Sequence, residues 1–286
     1  MVNGSARTSC SRWSEHAMKD ADAAVRNPIP AFAAGGVIGT LGGLIGLGGA
    51  EFRLPLLVGL FGFPALEAVI LNKAMSLIVV ATALPFRTGT VPFAEIATHW
   101  PVIVNLLAGS IAGAWFGAGW AIGLKPETLH RIIGVLLVLI ALALAFGHGL
   151  TGGHALVAND LVRIAAGILA GFAIGIVAAL LGVAGGELLI PTLILLFGLD
   201  VKLAGSLSLA ISLPTMIAGF ARYSRDRSFA VIGRYRMFVI VMALGSILGA
   251  FIGGRLLGIV PEAVLMPLLA TILILSAAKM LLHRRH

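Results

Sequence analysis

The sequence predicts an all-α polytopic membrane protein built from two inverted-topology repeats of about five membrane segments each, with short broken or half helices between longer ones. Composition is the first reason. Of 286 residues, 59% are hydrophobic and 11% charged, against about 25% charged in a soluble domain. Too few charges remain to cover a water-facing globule, so lipid must solvate most of the surface. The second reason is a gap-free internal repeat, and the third is a reversal of loop charge between its copies.

Residues 1–27 form a polar tail of mixed charge. A secretory signal would place an apolar run near the N-terminus before a small-residue cleavage site. None is present, so the tail is expected to be retained, either disordered or lying on the membrane through Trp13 and Met18. Apolar runs follow at 28–47, 66–86, 100–123, 128–147, 161–183, 204–221, 236–259 and 263–282. Most reach the ~20 residues that a helix needs to span a bilayer. Runs 51–63 and 187–199 are shorter. At ~1.5 Å per residue they cannot cross ~30 Å unaided, so they are half-helices or short tilted ones, spanning or re-entrant. The strand alternation of a membrane barrel is absent. Pro85 and Pro214 are expected to end or kink their helices.

Gly35, Gly39, Gly46, Gly49, Glu51, Pro55, Gly62, Leu71 and Ser76 recur 136 positions later as Gly171, Gly175, Gly182, Gly185, Glu187, Pro191, Gly198, Leu207 and Ser212. The register still holds where Gly109-Ser110-Ile111-x-Gly113-Ala114 returns as Gly245-Ser246-Ile247-x-Gly249-Ala250. Chance matches in apolar sequence rarely keep one register through Glu, Pro and Ser. The duplication divides the chain into a first membrane repeat, 28–150, and a second, 151–286. Gly109, Gly113 and Gly117 have the spacing of small-residue packing faces.

Loop charges set the relative orientation. The 87–99 loop carries Arg87 and Glu95, whereas its counterpart carries Arg222, Arg225, Arg227, Arg234 and Arg236. Lys125 and Arg131 flank the next loop of the first half, where the second half has Arg255 and Glu262. Lys279, Arg284 and Arg285 make the C-terminal tail basic. By the positive-inside rule both termini and the 222–236 loop face the cytoplasm of a cell membrane, and the 87–99 loop faces out. Equivalent loops then lie on opposite sides, so the repeats are inverted. An odd number of crossings per half is required, met by five segments or by three plus a re-entrant pair. The net charge of +8 reads as this orientation bias rather than nucleic-acid binding, since no aromatic stacking platform accompanies it.

Each half has a Gly-rich break before its short helix: Gly46-Leu47-Gly48-Gly49-Ala50-Glu51-Phe52-Arg53-Leu54-Pro55, and Gly182-Val183-Ala184-Gly185-Gly186-Glu187-Leu188-Leu189-Ile190-Pro191. Matched breaks in inverted repeats point to a transporter's binding site. A break frees backbone N–H groups, the next helix start adds a positive dipole end, and glycine lets a ligand reach the main chain. Such backbone is tolerated at membrane depth only inside protein or along a wet cavity. The expectation is a transporter of a small anion working by alternating access, with Gly48, Gly49, Gly185 and Gly186 at the substrate.

These breaks, the Pro four residues after the acid and the Ser-bearing third segment resemble the sulfite exporter TauE/SafE family over about 30–285. The resemblance implies a membrane carrier for sulfite, organosulfonates or related sulfur-containing anions, working in the export direction. The family's commoner pattern has a third glycine in the break. Here Ala50 stands in that place in the first break and Ala184 precedes Gly185 in the second, and both breaks add an acid.

Glu51 and Glu187 are candidates to bind a coupling proton, because intramembrane acids are expensive and functional by default; the plainer reading is a helix-start acid on the dipole. Lys73, after Asn72 and before Ser76, is a candidate anion-facing cation, or a partner of Glu51 or Glu67. Ser208 and Ser212 occupy the corresponding second-half positions and join the substrate set; Ser206 and Thr215 could add anion ligands, though such hydroxyls also bond their own helix. Arg53 is expected to pair with Glu51, to sit at the interface or to take a ligand role. No cofactor or metal is expected: Cys10 is the one cysteine, and His99, His148 and His154 match no zinc spacing. Expected partners are the bilayer, the anion and a second copy in a homodimer, with no nucleic acid. A passive anion channel fits the same architecture. An intramembrane enzyme fits less well, because no H-E-x-x-H or G-x-S-x-G motif is present.

Overall fold

The computed structural model describes residues 27–45, 49–87, 92–146 and 159–256. The terminal tails, the 263–282 run, Gly46 to Gly48, His148 and His154 lie outside those residues. Every element described is helical: α1 (Pro28–Ile45), α2 (Ala50–Gly59), α3 (Ala65–Arg87), α4 (Phe93–Thr98), α5 (Trp100–Gly123), α6 (Pro126–Phe146), α7 (Asp160–Leu181), α8 (Gly186–Phe197), α9 (Val201–Tyr223), a 3-10 turn (Arg227–Phe229), α10 (Ala230–Arg234) and α11 (Arg236–Leu256). Within α3, α5, α7, α9 and α11 are five stretches long and apolar enough to cross a membrane: Ala65–Thr82, Trp100–Gly123, Asp160–Leu181, Leu203–Tyr223 and Arg236–Gly253. The molecule is a multi-pass membrane protein.

The repeat survives folding. α2, α3 and α5 begin at Ala50, Ala65 and Trp100, and their counterparts α8, α9 and α11 begin 136 positions later at Gly186, Val201 and Arg236. The two most extensive helix contacts exchange partners between halves, α1 with α11 and α5 with α7. A Cβ at Gly35 or Gly39 would strike the carbonyl oxygen of Met242 or Ser246. One at Gly171 or Gly175 would strike that of Leu106 or Ser110, the same contacts shifted by one repeat. Glycine is needed here because it lets the backbones touch; with no hydrophobic drive between helices in lipid, close packing holds them. Gly109 and Gly113 pack in this way against Ile168 and Phe172, as their spacing predicts.

The counterpart helices α3 and α9 run in opposite directions. Lys73, in the first half of α3, lies beside Gly219, near the end of α9. Toward the start of α3, Glu67 lies within electrostatic range of Arg234, beyond the end of α9. Toward its other end, Val80 clusters with Leu209 and Met216. α3 and α9 are therefore antiparallel, as inversion requires.

The sequence missed three short elements. α4, the 3-10 turn and α10 lie in stretches read as plain loops, and each is too short to show periodicity. Pro214 does not end its helix, since α9 continues to Tyr223. Pro55 and Pro191 likewise lie inside α2 and α8.

Candidate functional site

The two half-helices start alike. Gly49 and Gly185 precede α2 and α8 in left-handed conformation, with φ of 69° and 80°, which L side chains adopt at a cost. Neither start has a side-chain cap, so the N-cap residue itself offers the first-turn N–H groups no side-chain acceptor. Each folds back on the preceding helix: Gly49 packs against the Ile38 carbonyl, and Gly185 against Ile174 and Ala178. With 10 and 12 residues, α2 and α8 reach only about half the bilayer. Glu187 stands in the first turn of α8.

Asn72 of α3 joins the breaks. Its amide donates to the Ala50 carbonyl, at the start of α2, at 3.0 Å and to the Leu181 carbonyl, at the end of α7, at 3.1 Å. One side chain thus bridges the first-half break to the second-half break. A helix that ends inside the membrane strands its last carbonyls. Here they are gathered by side chains: Lys73 Nζ donates to Ala178 at 3.0 Å and the Tyr223 hydroxyl to Ala179 at 3.0 Å. Gly182, the C-cap, turns its own N–H and that of Val183 back onto Ala179 and Ala178. A cation at a helix C-terminus also complements the dipole.

Arg53 lies in the first turn of α2 with 0% of its surface exposed. Nη1 donates to Asn72 Oδ1 at 3.3 Å and Ser76 Oγ at 3.1 Å, and Nη2 donates to Ser246 Oγ at 3.1 Å. Glu51 is 2% exposed and close enough to act on Arg53 electrostatically, but its Oε1 has no hydrogen-bond partner.

The second half is built from hydroxyls. Ser212 donates to the Ala184 carbonyl in the second break at 2.8 Å, and Ser110 shares a 2.7 Å bond with Thr215. Ser208 bonds Gly205 in its own helix. Leu189 occupies the position equivalent to Arg53, so the paired breaks are alike in backbone and unlike in charge.

The sequence profile described as sulfite exporter TauE/SafE matches residues 31–280. The chain belongs to the sulfite exporter TauE/SafE family. As a member of this family it is a membrane transporter. No curated protein and no solved structure matches it.

Among the sequence candidates of this TauE/SafE chain, Gly49, Asn72 and Ser76 come together with Arg53 and Glu51, Lys73 turns instead to the Ala178 carbonyl beside Gly219, and Gly185 and Ser212 meet at the second break through Ala184. Ser208 turns to its own helix. Ser246 and Tyr223 are site residues that the sequence pattern does not single out. For Ser246 a signal existed, since it is the repeat mate of Ser110; Tyr223 is visible only once α9 lies beside α7.

Proposed function

We propose that this chain carries sulfite or an organosulfonate out of the cell through a site at the two helix breaks, by alternating access of the inverted halves, coupled to protons at Glu51 and Glu187. The observation that carries the reading is Asn72, whose amide ties the start of α2 to the end of α7. Any rocking of one half against the other must remake the bond to Leu181, which crosses between the halves. Gly49, Gly185 and Gly186 supply backbone and Ser76 a hydroxyl that accepts from Arg53; Ser208 and Ser212 join the site by turning their protons from Gly205 and Ala184 to the anion. Lys73 gives one of three N–H donors to Ala178, leaving two for an anion. A buried Glu51 with an unbonded oxygen is suited to exchange a proton as anion charge arrives and leaves. The arginines between α9 and α11 favour a cytoplasmic position for that end of an inner membrane, and with it cytoplasmic termini.

Reconstituted vesicles test the reading. Sulfite flux should saturate with concentration and accelerate under an imposed proton gradient. Glu51→Gln with Glu187→Gln should remove the gradient response while saturation persists. Flux rising linearly with concentration would make the protein a passive channel, and absence of flux for every sulfur anion would sink the assignment.

A further inference from the structure

Two charged side chains at the start of α2 are left incomplete. Glu51 Oε1 and Arg53 Nε are buried with no hydrogen-bond partner. A guanidinium presents five N–H donors in a rigid fork. Arg53 uses Nη1 and Nη2 on Asn72, Ser76 and Ser246, all neutral acceptors, and these bonds fix the guanidinium plane. What remains includes Nε–H, on the edge shared with Nη2, the edge suited to gripping two oxygens of one oxyanion. Glu51 does not fill it: residues two apart on a helix do not face each other, and its Oε1 is unbonded. A cation within a membrane protein is expensive and marks function. The second half has Leu189 in the equivalent place, so the fork occurs in one half only.

We propose that Arg53 is an anion-coordinating cation of the carrier, gripping two oxygens of one oxyanion per chain through its Nε–Nη2 edge. The proposal rests on the anion-carrier reading and deepens it: the substrate class becomes oxyanions with two oxygens on one face, as sulfite and sulfonates have, and excludes halides.

The test is a titration of the purified full-length chain with sodium sulfite and with methanesulfonate, followed by thermal stabilisation and calorimetry at fixed ionic strength. Wild type should bind both saturably, and chloride and iodide should not compete. Arg53→Lys keeps the charge and loses the fork, so affinity should fall on the order of 10- to 100-fold. Arg163→Gln, which removes a surface cation paired with Asp160, should bind as wild type does. Saturable wild-type binding that survives Arg53→Lys unchanged overturns the role of Arg53 and leaves the carrier reading standing. Halides competing equally with sulfite overturn it too, with no variant needed. Wild type that binds no sulfur oxyanion sinks the carrier reading itself, and the proposal with it.

Discussion

Arg53 and Ser246 stand 193 positions apart in the chain and share a hydrogen bond of 3.1 Å. One belongs to the first repeat and the other to the second, so the bond crosses between halves at the site. Ser246→Ala strands another N–H of a buried guanidinium, and bonds to charged groups contribute about 1.5–3 kcal/mol. The repeat mate, Ser110, bonds only the neutral Thr215, an interaction averaging about 0.6 kcal/mol between membrane helices. Thermal unfolding in detergent should therefore drop further for Ser246→Ala than for Ser110→Ala; equal shifts would contradict this account.

The glycine seams make a second prediction. A Cβ at Gly39 or Gly175 meets a backbone carbonyl, of Ser246 or Ser110, and backbone cannot swing aside as a side chain can. Gly39→Ala and Gly175→Ala should each cost about 1–3 kcal/mol. At Gly123 a Cβ meets nothing within 4 Å, so Gly123→Ala should change stability by less than about 1 kcal/mol. Melting curves of the three variants compare them directly.

Lys73 separates stability from binding. Its ammonium is fully buried, and the Ala178 carbonyl it serves also accepts Val183 N–H, so removing the lysine leaves no orphan there. Lys73→Met keeps the volume and deletes a buried charge, a change that is often neutral or stabilising. The melting temperature should hold or rise while the apparent KM for sulfite increases by about 10-fold or more. Unchanged flux kinetics would make Lys73 a helix cap alone.

Asp226 sets a pH dependence outside the membrane segments. Its carboxylate accepts the Ser228 N–H at 2.8 Å, and that bond holds its pKa below the ordinary carboxylate value. A lowered folded-state pKa means that the stabilisation is complete above the unfolded value, about 4, and is lost as pH falls through the lowered one. Asp226→Asn keeps an acceptor oxygen and does not titrate. Between about pH 5 and about pH 3, wild type should lose more stability than Asp226→Asn, measured by thermal unfolding across that range.

Much of this was legible in the residues. Apolar length gave the long helices, because lipid permits only segments that satisfy their own backbone. The offset of 136 exposed the duplication, and the arginines at 222–236 its inversion, borne out by antiparallel α3 and α9. Gly49 and Gly185 marked the half-helix starts, since a left-handed turn leaves few other choices. The short α4 and α10 were invisible, being too brief for any period to register.

The sequence by itself determined the membrane class, the inverted repeat and the location of the breaks, because composition and periodicity are properties of the chain. Only the tertiary structure decided how those breaks are wired. Asn72 bridging Ala50 to Leu181, Lys73 on the Ala178 carbonyl and Arg53 bonded to Ser246 are contacts between segments far apart in sequence. Hydrogen bonds require approach to about 3 Å, and which groups approach is fixed by helix packing that no local pattern encodes.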